Sequence, residues 1–412
     1  MSLSLGKKIA PLILLYANVI LAQNSGTNIL GQNMFGNTNI VNTAVPFLLI
    51  SPDARANGMG NAGVALEPDA NSTHWNPAKL AFVTDSFGFS DSFLPWLRTL
   101  VPNINMNYLS GFFKLPHNQA LGFSWRYIAY GNIEFTDNNG VTIGNYNPYE
   151  FALDLCYSRK FGNNWSIGFS GRYIYSDLVG SSSVQGEYTQ IVQDFCVDLS
   201  AYHKSNEINI LGKSSFLSEG ICISNIGPKI SYSSSGVSNF ISTNLRLGAA
   251  FTTNLNQKNK LTITEDVNKL LVPTPPIYAI TPTSGTPMIS PNGQPVILAG
   301  MDPNVSVLQG MVQSFYDAPG GAQEEFNEIT WSTGIEYSYN NRFMARTGFF
   351  YENVTKGGRQ YYTVGAGFRL LSLSVDAAYF IPVSQQNPLQ NTLCISLSFN
   401  FSPKKKAVPT TS

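Results

Sequence analysis

Hydrophobic and polar residues alternate from about residue 86 to Phe401, in segments of roughly ten residues. In the last segment, Leu393, Ile395, Leu397, Phe399 and Phe401 alternate with Cys394, Ser396, Ser398 and Asn400. Because successive side chains of a β-strand point to opposite faces, this segment is a strand with one apolar and one polar face. The alternation predicts fourteen strands, near residues 86–94, 104–115, 119–136, 149–161, 165–178, 191–204, 216–226, 240–254, 260–271, 329–340, 342–352, 360–370, 371–382 and 391–401.

Two of these strands carry specific expectations. The third places its apolar face at Leu121, Phe123, Trp125, Tyr127, Ile133 and Phe135. In the ninth, Glu265 falls in phase with Leu261 and Ile263, and a carboxylate that faces lipid is unfavourable. We therefore expect Glu265 to lie outside the hydrocarbon zone.

Short and long connections alternate between the strands. Tight turns at 116–118, 162–164, 256–259 and 340–341 follow even-numbered strands, with the longer connection 205–215 as the exception. Longer loops follow odd-numbered strands, at 137–148, 179–190, 227–239, 272–328, 353–359 and 383–390. Bacterial outer-membrane barrels have short periplasmic turns and long outer loops. The pattern favours an all-β fold, a transmembrane antiparallel β-barrel of 86–401, over a soluble sandwich.

The composition agrees with a membrane location. Charged residues make up 12% of the 412 residues, and the chain has 20 Tyr and 26 Phe, whereas soluble domains carry about 25% charged residues. Residues 1–22 have the form of a signal peptide, with Lys7 and Lys8 before an apolar run. The formal net charge of zero argues against nucleic acid as a partner.

Charged side chains of both signs fall on the inner face of the predicted barrel. They are Arg126, Arg172, Arg246, Arg346 and Arg369, with Asp154, Asp194, Asp198, Glu336 and Asp376. Mixed signs predict ion-pair networks in a narrow lumen rather than a charge-selective channel. The four cysteines, Cys156, Cys196, Cys222 and Cys394, also fall on the polar phase, and their spacing indicates no zinc site.

A glycine-rich and proline-rich segment precedes the first strand. Its distinctive residues are Ser51, Pro52, Asp53, Arg55, Gly58, Met59, Gly60, Gly63, His74, Trp75, Asn76 and Pro77. Closely spaced glycines indicate tight backbone contact or positive φ, and Asn-Pro initiates a turn. We expect residues 23–85 to contain a plug in the periplasmic mouth of the barrel.

Several catalytic and cofactor sites are excluded by context. Gly58 to Gly63 matches the dinucleotide fingerprint, but Pro52 interrupts the approach and no βαβ series follows. His74, His117 and His203 are too scattered for a metal site. The sequence offers no nucleophile, base and orienting group together, so we expect no cofactor and no enzyme activity.

The loop 272–328 is rich in Pro, Gly and Thr, and a loop of this length is usually functional or disordered. Within it, Val305, Leu308, Met311, Val312, Phe315 and Tyr316 follow helical spacing. Such a helix could bind a partner, cover the barrel mouth or be solvated with local packing. Residues 402–412, with Lys404 to Lys406, are expected to form a periplasmic tail.

Three stretches of the N-terminal half resemble a known family. They are Val45 to Arg55, Gly58 to Ala65 and His74 to Leu80. Shorter matches follow at Leu94 to Arg98, at Phe151 to Leu155 and at Tyr157 to Arg159. The segment resembles PorV, the outer-membrane barrel family of the type IX secretion system of Bacteroidetes. The likeness covers the chain to about residue 180, and beyond that only the strand pattern continues it.

The resemblance implies a FadL-like barrel of fourteen strands with an N-terminal plug, acting as a non-enzymatic secretion component. It implies three protein partners: cargo with a C-terminal signal domain, a giant translocon barrel and a surface signal peptidase. The loop 272–328 is the candidate for the translocon contact. The alternative is a FadL-type transporter of hydrophobic small molecules, whose relatives also carry an Asn-Pro-Ala plug motif like the one starting at Asn76.

Overall fold

The computed structural model describes residues 38–97, 103–136, 142–178, 183–184, 187–188, 190–233, 238–281, 286–384 and 389–402. The predicted signal peptide, 1–22, and the tail beyond Ser402 lie outside the described residues. Among the residues described, no helix is both long and apolar enough to cross a bilayer.

Fourteen long strands form the wall of the molecule. They are β1 Phe87–Pro95, β2 Asn105–Leu115, β3 Gln119–Ala129, β4 Tyr149–Phe161, β5 Trp165–Asp177, β6 Val192–Lys204, β7 Lys213–Ile226, β8 Asn244–Asn254, β9 Asn259–Leu270, β10 Thr330–Tyr339, β11 Phe343–Tyr351, β12 Gln360–Leu370, β13 Leu373–Pro382 and β14 Leu393–Phe401. Each strand pairs antiparallel with the next, and β14 pairs with β1 from Phe401 opposite Phe87. The sheet therefore closes into the predicted barrel.

Alternation along each strand separates an outer from an inner face. On β3, Trp125 is exposed on the outer face, while Ser124 and Arg126 are buried inside. The barrel has a turn end, where the short turns join the strands, and a loop end, where the long loops do. Aromatic side chains stack across strands near the turn end, as Phe87 does with Phe113 and Phe401 at centroid distances of 4.6 and 5.8 Å. An apolar outer wall with aromatic belts is the surface that a bilayer requires.

The structure corrects the third predicted strand. β3 ends at Ala129, and Ile133–Thr136 pairs with Thr142–Tyr146 as a separate hairpin in the loop. Gly131 lies between them with a φ of 77°, a conformation that interrupts an extended strand. The prediction that Ile133 and Phe135 continue the outer wall is therefore wrong.

The exceptional connection 205–215 extends the turn end of the barrel. Ile208–Ile210 pairs with the first residues of β7, from Lys213 to Ser215. Leu211 and Gly212, with φ of 52° and 76°, form the turn itself. This short strand lengthens one hairpin and leaves the number of strands in the ring unchanged.

The segment before β1 fills the lumen with short helical turns. These are a 3₁₀ helix at Pro46–Leu49, α1 at Ala54–Asn57, α2 at Ser72–Trp75 and a second 3₁₀ helix at Pro77–Phe82. Phe47 packs near the loop end against Leu94 and Ile104, whereas Phe82 contacts Tyr202 edge to face near the turn end. The segment thus extends well beyond the single mouth to which the sequence analysis assigned it.

The loops contain the remaining elements. Two helices, α3 at Val307–Gln313 and α4 at Ala322–Asn327, and a 3₁₀ helix at Val354–Lys356 lie at the loop end. Short hairpins pair Ser183–Val184 with Glu187–Tyr188 and Ile277–Tyr278 with Ile297–Ala299. The long loop 272–328 is therefore structured over most of the residues described.

Candidate functional site

Glycines on both sides of one contact let the plug lie directly on the wall. A Cβ added at Gly348 of β11 would lie 2.1 Å from Gly60 N and 2.2 Å from Met59 C. One added at Gly334 of β10 would lie 2.5 Å from Met59 Cβ. Gly60 has a φ of 68° and donates from its backbone N–H to Thr363 Oγ1 at 2.9 Å. The glycines at 58–63 therefore serve backbone packing, which gives a physical reason for the apparent dinucleotide fingerprint.

Asp53 organises the first half of the plug. Its Oδ2 accepts the N–H of Ala56 at 2.9 Å and caps α1, and its Oδ1 accepts the Trp75 indole N–H at 2.6 Å. The Ala54 N–H, at the same helix end, donates to Ser396 Oγ of β14 at 2.9 Å. One carboxylate thus joins both helical turns of the plug, and a wall hydroxyl holds the first of them in place.

Asp266 of β9 holds the middle of the plug. Its Oδ2 accepts the N–H groups of Gly63 and Val64 at 2.6 and 2.8 Å. The carbonyl of Gly63 in turn accepts from Lys79 Nζ at 2.7 Å. A Cβ at Gly63 would lie 2.2 Å from the Trp75 ring, so glycine is required there.

His74 lies between two wall arginines. Arg126 donates to His74 Nδ1 at 2.6 Å, and Arg246 donates to the His74 carbonyl at 2.8 Å. Arg126 also donates to the carbonyls of Phe47 and Leu48 at 3.1 and 2.7 Å. These two arginines bind the plug, whereas the sequence analysis assigned them to ion pairs with lumen carboxylates.

The Asn76-Pro77 turn joins the plug to the opposite wall. The Asn76 side chain donates to the Ala201 carbonyl at 3.0 Å, and its Oδ1 accepts the Ala78 N–H at 3.1 Å. Ser166 donates to the Ala78 carbonyl at 2.7 Å. Pro77 thus begins a 3₁₀ helix whose N-terminus is capped and fixed to β5 and β6.

Two predicted ion-pair networks occur inside the barrel. Arg172 contacts Asp154 at 2.5 Å and Asp198 at 2.9 Å. In the other network, Arg346 contacts Glu336 at 2.7 Å and Asp376 at 2.6 Å. Buried charges with several partners each are structural, as the mixed signs predicted.

Arg55 connects the second network to the plug. It contacts Glu336 at 3.5 Å and Asp69 at 3.0 Å. Of the other predicted plug residues, Ser51 is buried and the Pro52 carbonyl accepts a weak bond from Cys394 Sγ at 3.7 Å. Cys394 and the other three cysteines are buried free thiols. The structure thus brings together the predicted plug residues, from Ser51 to Pro77, as one packed unit.

Sequence reasoning missed the wall side of this unit. Asp266, Gly334 and Gly348 were not singled out, although all three lie on the inner phase of their strands. Glycines in register on the inner face of neighbouring strands leave room for a second backbone. Inner-face glycines on neighbouring strands are therefore the feature of the sequence that indicates where the plug contacts the wall.

The lumen is packed near the loop end and contains a cavity near the turn end. Near the loop end, Phe47 and Leu48 lie in an apolar cluster with wall residues such as Leu94, Ile104 and Phe380. Near the turn end lies a cavity of about 280 Å³, whose lining includes Arg55, Glu67, Asp69, Lys204, Lys260 and Arg369. The cavity is therefore a charged, polar space.

The predicted helix of the outer loop is present in part, as α3 at Val307–Gln313, and Val305, Phe315 and Tyr316 lie outside it. Leu308, Val312 and Phe315 are 71%, 63% and 51% exposed. Tyr316 is also exposed, while Val305 and Met311 are partly buried. The helix packs through Gly310, where a Cβ would lie 2.7 Å from the Phe240 ring. The Leu308 and Val312 side chains of α3 point away from the protein.

Ion pairs hold this loop on the barrel. Lys269 of β9 contacts Glu325 at 2.9 Å and Glu328 at 2.6 Å, and Lys356 contacts Glu328 at 2.9 Å. Asp317 accepts the Thr274 N–H at 3.2 Å, and burial raises the pKa of this carboxyl to about 6. These contacts anchor the loop that carries the exposed α3 surface to the barrel wall.

Among the residues described, no three metal-ligating side chains are grouped as a metal site would require. His74 is occupied by Arg126 and Arg246. His203 contacts Glu219 at 3.2 Å, far along the chain from the plug.

Comparisons with known proteins agree with this architecture. A family model described as "Type IX secretion system protein PorV" matches residues 33–277. No curated protein matches the chain significantly. Among solved structures, the chain is similar to a deltaS2S3 mutant of the TodX monoaromatic hydrocarbon channel, with a TM-score of 0.50 and 12% identity over 85% of this chain and 99% of that one. At this identity the likeness shows the fold alone.

Two further structures are less similar. The Pseudomonas putida toluene transporter TodX has a TM-score of 0.48 and 12% identity, covering 86% of this chain and 99% of its own. A Pseudomonas aeruginosa FadL homologue has a TM-score of 0.39 and 13% identity, covering 88% and 100%. The family match covers more than half of the chain and coincides with a closed outer-membrane barrel. The protein therefore belongs to the PorV family of the type IX secretion system.

Proposed function

We propose that the protein is a non-enzymatic binding component of type IX secretion in the bacterial outer membrane. Its short turns face the periplasm, its long loops face outward, and residues 1–22 direct its export. The observation that carries the proposal is the apolar surface of α3, exposed at the loop end of a barrel whose lumen is packed with apolar side chains at that end. Exposed apolar surface on a fixed element is typical of protein-binding sites.

The partners follow from the family. The loop 272–328 contacts the translocon barrel through Leu308, Val312, Phe315 and Tyr316, with Val305 and Met311 at the edge of the contact. Cargo with a C-terminal signal domain and the surface signal peptidase bind at the same end, where the outer loops lie. The outer wall contacts lipid.

The contents of the lumen support protein binding over transport. A transporter of hydrophobic molecules needs a continuous apolar path. Here the apolar cluster around Phe47 is packed, and the cavity at the turn end is lined by charged groups such as Glu67 and Lys260. Neither offers a route for a hydrocarbon.

The test is copurification from native membranes together with cargo release at the cell surface. Leu308→Asp and Phe315→Asp place a charge on the apolar surface, so we expect both to reduce recovery of the translocon and secretion of cargo. Ile289→Asp is the matched control, since Ile289 is 61% exposed in the same loop but lies outside α3.

Deletion of residues 275–325 should abolish cargo release while the barrel stays folded. Folding is checked by the heat-dependent mobility of the barrel on gels. Normal secretion by the deletion variant, or full recovery of the translocon with both aspartate variants, would refute the role of this loop. Tight retention of a fatty acid without any protein partner would favour transport.

A further inference from the structure

The outer wall of the barrel carries a carboxylate in the middle of a strand. Glu265 lies halfway along β9, on the same face as Ile263 and Val267. Its neighbours on that face are directed at the bilayer, and Ile263 is 44% exposed. A charged side chain on the lipid face of a barrel is destabilising, most strongly at the bilayer midplane.

Aromatic residues define the depth of Glu265. Towards the turn end, Leu261 and Asn259 of β9 lie opposite Tyr337 and Tyr339 of β10. Towards the loop end, Val267 lies opposite Trp331. Aromatic belts mark the two membrane interfaces of a barrel. Glu265, opposite Thr333, lies between these belts and therefore within the hydrocarbon zone, contrary to the sequence-based expectation.

The surroundings of Glu265 differ from the rest of the wall. The residues opposite Glu265 on the two neighbouring strands are small, Ala249 on β8 and Thr333 on β10. Among the residues described, the Glu265 side chain makes no hydrogen bond or ion pair. The next cation on its face, Lys269, is engaged by Glu325 and Glu328. The barrel itself thus leaves this charge uncompensated.

The same side of the barrel leads up to the exposed helix of the outer loop. Lys269 falls on the outer phase of β9, where the loop buries it, and Phe315 packs against it with Nζ 5.9 Å from the ring centre. Trp331, just above Thr333, contacts Phe326 of α4 at a centroid distance of 6.4 Å. Phe315, which follows α3, and Phe326 of α4 therefore contact the wall on the same side of the barrel as Glu265.

We propose that this face docks a second integral outer-membrane protein, which presents a lysine or arginine to Glu265 between the two aromatic belts. The inference deepens the proposed function and rests on it, because it specifies that the partner of the α3 surface continues into the bilayer. Small side chains at 249 and 333 let the partner wall approach closely. A cation opposite Glu265 compensates the carboxylate where lipid does not.

Charge complementarity selects a protein over a lipid as the occupant. The amine of a lipid headgroup lies at the interface, beyond the level of Trp331 or Tyr337, and Glu265 lies between them. A protein side chain can present a charge at any depth. The required chemistry is therefore a basic side chain on another membrane-spanning wall.

The test uses the full-length protein in native outer membranes with a photo-crosslinking residue, p-benzoylphenylalanine, in place of Ile263. This position is next to Glu265 on the outer face. We expect a crosslink to one integral membrane protein, with a lysine or arginine close to the crosslinked site. Glu265→Gln should lower the yield about tenfold, the scale of one desolvated charge pair. The same photo-residue at Leu153, on the outer face of β4, should label lipid only.

Charge exchange provides the decisive control. Glu265→Lys should abolish the crosslink, and replacement of the partner's basic residue by glutamate should restore it. In the isolated barrel in detergent, Glu265→Leu should raise the unfolding temperature, because it removes a lipid-facing charge. A yield unchanged by Glu265→Gln, or labelling of lipid alone from position 263, would overturn the inference.

The two proposals fail separately. If Leu308→Asp disrupts the complex while Glu265→Gln does not, the loop contact stands and the intramembrane contact is refuted. If neither variant changes the complex, both are refuted. An aminolipid crosslink that depends on Glu265 would identify lipid as the occupant and also refute the proposal.

Discussion

Replacing Gly348 by alanine should loosen the plug. The new Cβ would lie 2.1 Å from the Gly60 nitrogen and 2.2 Å from the Met59 carbonyl carbon. Both are backbone atoms, and the wall on the other side is a hydrogen-bonded strand of a closed ring. Neither side can move away by rotating a side chain, so the plug itself must shift.

The magnitude follows from two losses. Overpacking a close contact costs about 1–3 kcal/mol. Displacement of Gly60 also breaks its bond to Thr363 Oγ1, now 2.9 Å long, for about 1 kcal/mol more. A total of about 2–4 kcal/mol raises the ratio of displaced to seated plug about 30- to 700-fold.

Two assays report the displaced plug in the purified protein. Limited proteolysis should cleave residues 51–80 faster in Gly348→Ala, and ion conductance across a planar bilayer should rise. Gly171→Ala is the matched control, because a Cβ at this strand glycine meets nothing within 4 Å. Heat-dependent gel mobility verifies that both barrels are folded. Equal protease resistance and equal conductance of the two variants would refute the view that close backbone packing seats the plug.

Three other variants test separate contacts. Asp266→Ala leaves the N–H groups of Gly63 and Val64 without their acceptor, and we expect the plug to lose about 2–4 kcal/mol of stability at this point. Hydrogen exchange at residues 63–64 should become faster, and unchanged exchange would contradict the prediction. Arg126→Met removes the donors to His74, Phe47 and Leu48, so proteolysis at residues 46–50 should accelerate, whereas the exposed Arg342→Met should have no effect. The pKa of Asp317 in the folded loop is about 6, above its ordinary value of 3.8, so the folded loop binds the proton more tightly than the unfolded loop does. The free energy of unfolding of the loop should therefore fall by up to about 3 kcal/mol as the pH rises from about 4 to 6. Asp317→Asn should remove this dependence, as measured by hydrogen exchange of residues 272–328 at both ends of that range; a pH dependence equal to that of the unmodified protein would contradict the assignment.

The strand pattern was predictable because one physical constraint acts at every second position. Each wall residue faces either lipid or the lumen, so polarity alternates, and the fourteen strands are confirmed. The exception at Ile133 arises where that constraint ends. Beyond Gly131 the chain leaves the wall, and an alternating hairpin in a loop has the same sequence pattern as a strand in the barrel.

The lumen contacts were less predictable because they join residues far apart in the sequence. Arg126 and Arg172 both fall on the inner phase, yet Arg126 binds plug carbonyls and Arg172 binds wall carboxylates. Composition indicates that such charges must be satisfied, but only the path of the plug decides by which group. Gly334 and Gly348, on the inner face, mark where the plug backbone lies against the wall.

The closure of β1 on β14 has a consequence for biogenesis. The residues that occupy the lumen precede β1 in the chain, while the strand that completes the ring, β14 at Leu393–Phe401, comes last. The first and last wall strands have to meet before the ring is closed. Because the lumen segment and β1 are synthesised before β14, the residues that fill the barrel are present before the ring can be completed.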